Sequence, residues 1–212
     1  IMPRDGSVED IKWIEDDPCY VFHAMNAYTE GDKIIADMMQ FEEAPLFPHV
    51  DGSAPDPKKA EARLNRWEID LSSNSGKISK NFLDDDLGEF PRLDERFSML
   101  SYRHGFYASR IGDPSEISWN AIAHHDHQTG KKEFFVVDKE DAVGEPIFVP
   151  TSMDAEEGNG FLITLAYKGK ENRSDLLIFN AMDVASGPIA TAHLPHRVPY
   201  GFHGNWRQGE QT

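Results

Sequence analysis

Two aromatic-rich phrases, far apart in the chain, each carry a histidine suited to binding a metal. The first, Cys19-Tyr20-Val21-Phe22-His23-Ala24-Met25-Asn26-Ala27-Tyr28, sets His23 inside a β-prone run. The second, His193-Leu194-Pro195-His196-Arg197-Val198-Pro199-Tyr200-Gly201-Phe202-His203-Gly204-Asn205-Trp206, sets His203 between an aromatic residue and a glycine. There Pro195 and Pro199 fix φ and remove backbone donors, while Gly201 and Gly204 permit close backbone approach. Such a segment is a poor surface loop and a suitable ligand cradle. Neutral imidazole binds iron, zinc or copper, so the residue type leaves the metal open. The shared setting of the two histidines points to a metal held from distant strands.

Other residues invite a chemical reading and are set aside. His124, His125 and His127 resemble a metal cluster, and on a strand His125 and His127 share a face. They border a turn, however, so an exposed hairpin is the preferred expectation. His49, His104, His193 and His196 are read as loop packing. Cys19 stands four residues from His23, too far along a strand for direct proton transfer, and is read as a small buried apolar residue. No Gly-x-Ser-x-Gly elbow, Walker loop or dinucleotide fingerprint is present.

The elements that must position these histidines read as strands. Lys33 to Met38, Glu133 to Val137 and Gly160 to Tyr167 are runs of β-branched and aromatic residues between turn signals. Asp10 to Ile14 also reads as a strand, and Pro57 to Asn65 as a short helical excursion. Three Asp-to-Gly turns, at Asp70–Gly76, Asp126–Gly130 and Asp183–Gly187, recur at nearly equal intervals. In such turns the Asp side chain accepts backbone hydrogen bonds and the Gly takes positive φ. That interval suits propeller blades of four antiparallel strands, and three unrelated hairpins of another all-β fold remain the alternative. Asp51 to Pro57 and Asp84 to Asp86 read as solvated loops.

Composition bounds the function. Across 212 residues, 39% hydrophobic and 11% aromatic content supports one substantial core rather than disorder. A formal charge of −16 would repel a polyanion, so nucleic acid is not an expected partner. The single cysteine cannot form an internal disulfide, no apolar run reaches membrane-spanning length, and a cytoplasmic location is expected. The chain begins Ile1-Met2-Pro3 without an initiator at position 1 and is expected to be a fragment.

Four phrases together carry a family resemblance. Phe22 to Tyr28, Gly88-Glu89-Phe90-Pro91-Arg92-Leu93-Asp94, Gly144-Glu145-Pro146-Ile147-Phe148-Val149-Pro150 and Val198 to Gly204 resemble, in order, the signature motifs of the carotenoid cleavage oxygenases. That family includes bacterial lignostilbene and apocarotenoid dioxygenases and the retinoid isomerase of the eye. The resemblance implies a seven-bladed β-propeller, with residues 1–212 forming the C-terminal part of a single propeller domain and supplying about half the blades. It implies one Fe(II) bound by four histidines. His23 matches the third ligand and His203 the fourth, and the N-terminal half of the propeller would supply the other two. By residue type alone Glu89 and Glu145 read as solvated or ion-paired carboxylates. By resemblance Glu89 orients His23 and Glu145 orients His203. The family commonly follows Asn-Ala-Tyr with Glu, whereas here Thr29 precedes Glu30, which bears on the local loop.

The implied activity is a dioxygenase that cleaves an activated C=C bond with O2 to two carbonyl products. Phenolic stilbenes of the lignostilbene type are favoured over apocarotenoids. The alternative is a non-catalytic β-propeller fragment that acts as a binding module through open strand edges.

Overall fold

The computed structural model describes residues 1–72, 78–112 and 118–209. Its regular structure is strand apart from three short 3₁₀ turns. The strands are β1 (Tyr20–Glu30), β2 (Lys33–Phe41), β3 (Arg63–Asp70), β4 (Ile78–Leu93), β5 (His104–Arg110), β6 (Ala121–Asp126), β7 (Lys132–Val136), β8 (Ala142–Val143), β9 (Ile147–Pro150), β10 (Gly160–Lys168), β11 (Arg173–Asn180) and β12 (Ala190–His193). The all-β expectation holds.

β1 to β7 pair in chain order as one antiparallel sheet, and β12-β11-β10-β8 form a second, in which β9 also pairs with β10. The long β4 serves two neighbours. Its first part, Ile78 to Phe82, pairs with β3, and Leu87 to Leu93 pairs with β5. The chain therefore falls into three successive four-stranded meanders: β1 to early β4, late β4 to β7, and β8/β9 to β12. Two cores lie among them. Met25, Met39, Leu64, Tyr107 and Ala123 fill one, and Phe106, Ile122, Phe148, Leu162 and Phe179 fill the other. The middle meander contributes to both, so β6 is buried at every residue rather than at alternate ones.

That double burial corrects the reading of the histidine cluster. His104, His124 and His125 are buried on β5 and β6, not exposed on a hairpin. His104 Nδ1 lies 3.0 Å from His124 Nε2, and Phe106 stacks on the His124 ring. His125 and His127 do share a face, with ring centroids 4.7 Å apart. The turn itself, Asp126 to Gly130, is also as expected. The Asp126 side chain accepts from the Gln128 and Thr129 amides, and Gly130 has φ +69°. Gly187 likewise has φ +86°, and Ser72 N donates to Asp70 at 2.9 Å, while residues 73–76 of that turn lie outside the described residues.

Four further readings change. Asp84 to Asp86 is no solvated loop: it lies within β4, and buried Asp84 accepts from the Tyr107 hydroxyl and from Lys132. Pro57 to Asn65 is no helix: it is a loop that enters β3, where Ala62 and Leu64 bury on alternate positions against Met39 and Phe41. Core packing along a pleated strand outweighs local helix preference here. Asp10 to Ile14 follows a 3₁₀ turn at Val8–Asp10 and pairs with no strand among the described residues. Cys19 is half-buried, with Lys80 Nζ 4.0 Å from its sulfur.

Burial depresses His124 to about 4 and His127 to about 3. Below pH 6.5 the unfolded chain binds protons that these two folded imidazoles refuse. Stability is therefore full near neutrality and falls as pH drops from about 6.5 towards 3. Each histidine is expected to remove about 2 kcal/mol between pH 7 and pH 5. Urea midpoints at the two pH values check this, and a His124→Gln/His127→Gln variant should show a flatter pH slope.

Candidate metal centre

His23 owes its aim to a break in strand register. Between Val21 and Ala24, β1 spends three residues where β2 spends two, which places a bulge at Phe22-His23. A bulge bends the strand and redirects a side chain. A second bulge in β4, between Glu89 and Arg92, does the same opposite it. There Phe90 takes φ +55°, a conformation that costs an aromatic residue energy and that its surroundings hold in place.

The two bulges meet. His23 Nδ1 lies 2.6 Å from Glu89 Oε2, and the same oxygen accepts from the Phe90 amide at 2.6 Å. Glu89 is buried, which pushes its carboxyl up against the lowering effect of the Phe90 amide and His23. His203 reaches the same place on an irregular segment beyond β12. Its Nδ1 lies 3.2 Å from Glu145 Oε1, and the next amide, Gly204 N, donates to Glu145 Oε2 at 2.9 Å. Glu145 is itself buried, between β8 and β9.

With each Nδ1–H given to a carboxylate, each Nε2 carries a lone pair, and the two Nε2 atoms face each other at 3.1 Å. Two bare lone pairs at that distance repel unless a cation lies between or beside them. Two imidazole nitrogens at about 2.1 Å from one ion and at right angles would stand about 3 Å apart, so the donor set fits a metal. Phe90 packs against both rings, at centroid distances of 5.4 Å from His23 and 5.8 Å from His203. The pair is open on its outer side: the His23 side chain is 26% exposed and that of His203 51%. Among the described residues no group of three or more histidine, cysteine or carboxylate side chains could hold a metal.

A cavity of about 810 Å³ adjoins the pair, with His203 in its wall. Phe90, Trp119, Ile147, Leu165, Tyr200 and Phe202 are among its lining residues, so its character is apolar and aromatic. It lies between β8–β10 and the segment Val198 to Trp206.

The remaining histidines stay apart from this centre. His193 bonds Asp175 at 2.9 Å, and His49 bonds Ser53 and Glu43. The Thr29-Glu30 departure falls at the far end of β1, beside the Gly31 turn and away from His23. Sequence reasoning passed over Phe90, Trp119 and Arg92. The first and last stand inside the phrase that contains Glu89, where the position three residues on was the available signal.

Residues 1–208 match the family model described as retinal pigment epithelial membrane protein. The chain belongs to this family. It is 37% identical over 217 residues to an isoeugenol monooxygenase of Pseudomonas nitroreducens, covering 97% of this chain and 45% of that protein. It is 37% identical over 224 residues to lignostilbene-alpha,beta-dioxygenase isozyme III of Sphingomonas paucimobilis, again covering 97% of this chain and 45% of the relative. The crystal structure of Pseudomonas brassicacearum lignostilbene dioxygenase superposes with a TM-score of 0.91 at 33% identity, over 98% of this chain and 46% of that one. These family members are oxygenases by name. The chain spans a little under half the length of the relatives it matches.

Proposed function

We propose that the whole protein, of which residues 1–212 form the C-terminal part, is a non-haem Fe(II) dioxygenase. It cleaves an activated C=C bond with O2 to two carbonyl products, and phenolic stilbenes are its preferred substrates over apocarotenoids. In this reading the three meanders are blades of one seven-bladed β-propeller, and two further histidines come from the N-terminal half. The observation that carries it is the facing pair of Nε2 atoms, 3.1 Å apart, each on a ring held by a buried carboxylate.

His23 and His203 would hold the iron, whose contribution when bound is the activation of O2. Glu89 and Glu145 keep each imidazole as the Nδ1–H tautomer, which leaves Nε2 free to ligate. The aromatic cavity beside His203 would bind a flat alkene by apolar contact and exclude water from the reacting bond. A planar, two-ring substrate suits walls such as Trp119, Tyr200 and Phe202. A half-buried lone cysteine fits a reducing compartment, and we place the protein in the cytoplasm. Among the described residues no helix is long and apolar enough to cross a membrane.

The test is the whole protein incubated with Fe(II), a phenolic stilbene or an apocarotenoid, and ¹⁸O2. Stilbene turnover with label in both carbonyl products is expected. Label in only one product would make the enzyme a monooxygenase, and failure to cut either alkene would overturn the reading. A second reading concerns the chain by itself. β12 is exposed along its length, and among the described residues no strand pairs with its outer edge. Residues 1–212 alone would then act as a binding module that captures the upstream half by edge pairing.

A further inference from the structure

His203 sits on a segment with no regular structure, and its side chain is 51% exposed. Packing alone does not aim it. Polar contacts hold the segment, and two of them come from Arg92, which makes four contacts in all. Its guanidinium donates from Nη1 to Glu145 Oε1 and to the Gly204 carbonyl, both at 3.4 Å. From Nη2 it donates to Asn205 Oδ1 at 3.4 Å and to Glu95. The Arg92 side chain is only 17% exposed, and that of Glu145 is 5% exposed.

We propose that Arg92 is a positioning residue for His203. It clamps Glu145 and the Gly204–Asn205 backbone in one arrangement, so that the imidazole keeps Nδ1–H on the carboxylate and Nε2 towards His23. Glu145 is buried, and the Arg92 guanidinium lies against it, Nη1 standing 3.4 Å from the same Oε1 that meets His203 Nδ1. An ammonium is a single point charge, whereas the planar fork reaches two carboxylates, a carbonyl and an amide oxygen at once. The placement also ties the two halves of the centre together. Glu89, which holds His23, and Arg92, which holds the partner of His203, flank one bulge of β4. The Phe90-Pro91 bulge turns the two side chains towards opposite members of the pair. His23 itself has no such clamp, since Glu89 meets only the Phe90 amide and His23, and its Oε1 is buried without a hydrogen-bond partner among the described residues.

This inference rests on the reading of His203 as a ligand, and its test separates the two. The whole protein is prepared with its upstream half, as wild type, Arg92→Met, Arg92→Lys, Glu145→Gln and Arg92→Met/Glu145→Gln. Two quantities are read: the rate at which bound Co²⁺ is lost to a chelator, and the His203 tautomer in metal-free protein by long-range ¹H–¹⁵N spectra. Arg92→Met is expected to release Co²⁺ about tenfold faster, the range for loss of an outer partner of a metal ligand. Arg92→Lys should fall between it and wild type. The double variant should be no faster than Glu145→Gln, because both residues act along one path. Wild-type His203 should be a single Nδ1–H tautomer and Arg92→Met a mixture. A single Nδ1–H tautomer in both proteins, or additive effects in the double variant, would overturn the role of Arg92. Wild-type protein that holds no Co²⁺ but shows the tautomer change would support the positioning role and count against the metal reading.

Discussion

His203→Ala in the whole protein is expected to lower alkene cleavage by more than about 100-fold, the upper end of what loss of an outer partner costs, while leaving the fold intact. The separation follows from where the side chain lies. It is half exposed, and its removal leaves Glu145 with the Gly204 amide and Arg92. A surface change of that kind alters stability by about 0.5 kcal/mol or less. His23→Ala should lower activity as far but also destabilise. It strips buried Glu89 of its side-chain donor and leaves only the Phe90 amide, an exposure of unmet hydrogen bonding worth about 1–3 kcal/mol. Thermal unfolding of the two variants beside their kcat/KM values checks the contrast. Activity within a few-fold of wild type for His203→Ala would remove that residue from the site.

Asp37→Ala is expected to have the opposite profile, a large loss of stability with the centre unchanged in each folded molecule. Asp37 is fully buried and carries a network beneath the site. Arg66 donates to both its oxygens at 2.8 Å, and the Tyr102 hydroxyl donates at 2.7 Å. His127 Nδ1 stands 3.4 Å from Arg66, and its Nε2 lies 3.4 Å from Met25 Sδ, two residues along from His23. Deleting the carboxylate leaves a half-buried guanidinium and a buried phenol without their acceptor. Removing one partner of a buried pair costs about 3–5 kcal/mol. For a unit of 150–250 residues that lowers Tm by roughly 6–20 °C, and by less in the longer whole protein. Arg66→Met in the same molecule should recover part of the loss, since it removes the stranded charge. Additive losses in the double variant would show that the pair is not coupled.

Much of this was legible in the residues. The two histidine phrases stood out by their aromatic setting and the two glutamate phrases only through the family resemblance, and the structure brings the four side chains together. The turns of the repeat were legible because Asp and Gly have specific backbone uses, as at Asp126 and Gly130. What was hidden arises from pairing between distant segments. The bulges at His23 and Phe90 exist only as offsets against β2 and β5, so no local pattern announces them. His124 and His125 looked like loop residues because polar residues beside a turn usually are. They are buried because the middle meander is packed on both faces, a property of the assembly and not of β6 itself. Arg92 was overlooked for a similar reason: an arginine three residues after a glutamate reads as surface charge until the segment around Gly204 folds over it.

In the proposed function His23 and His203 are two donors of one iron site that the rest of the propeller completes. Elemental analysis tests it most directly, on the whole protein, on residues 1–212 alone and on the whole protein carrying His203→Ala. About one iron per molecule is expected in the whole protein and little in the other two, because two donors hold the ion weakly and the site forms only with the fold. Iron retained at that level by the His203→Ala protein, or little iron in the whole protein, would contradict it.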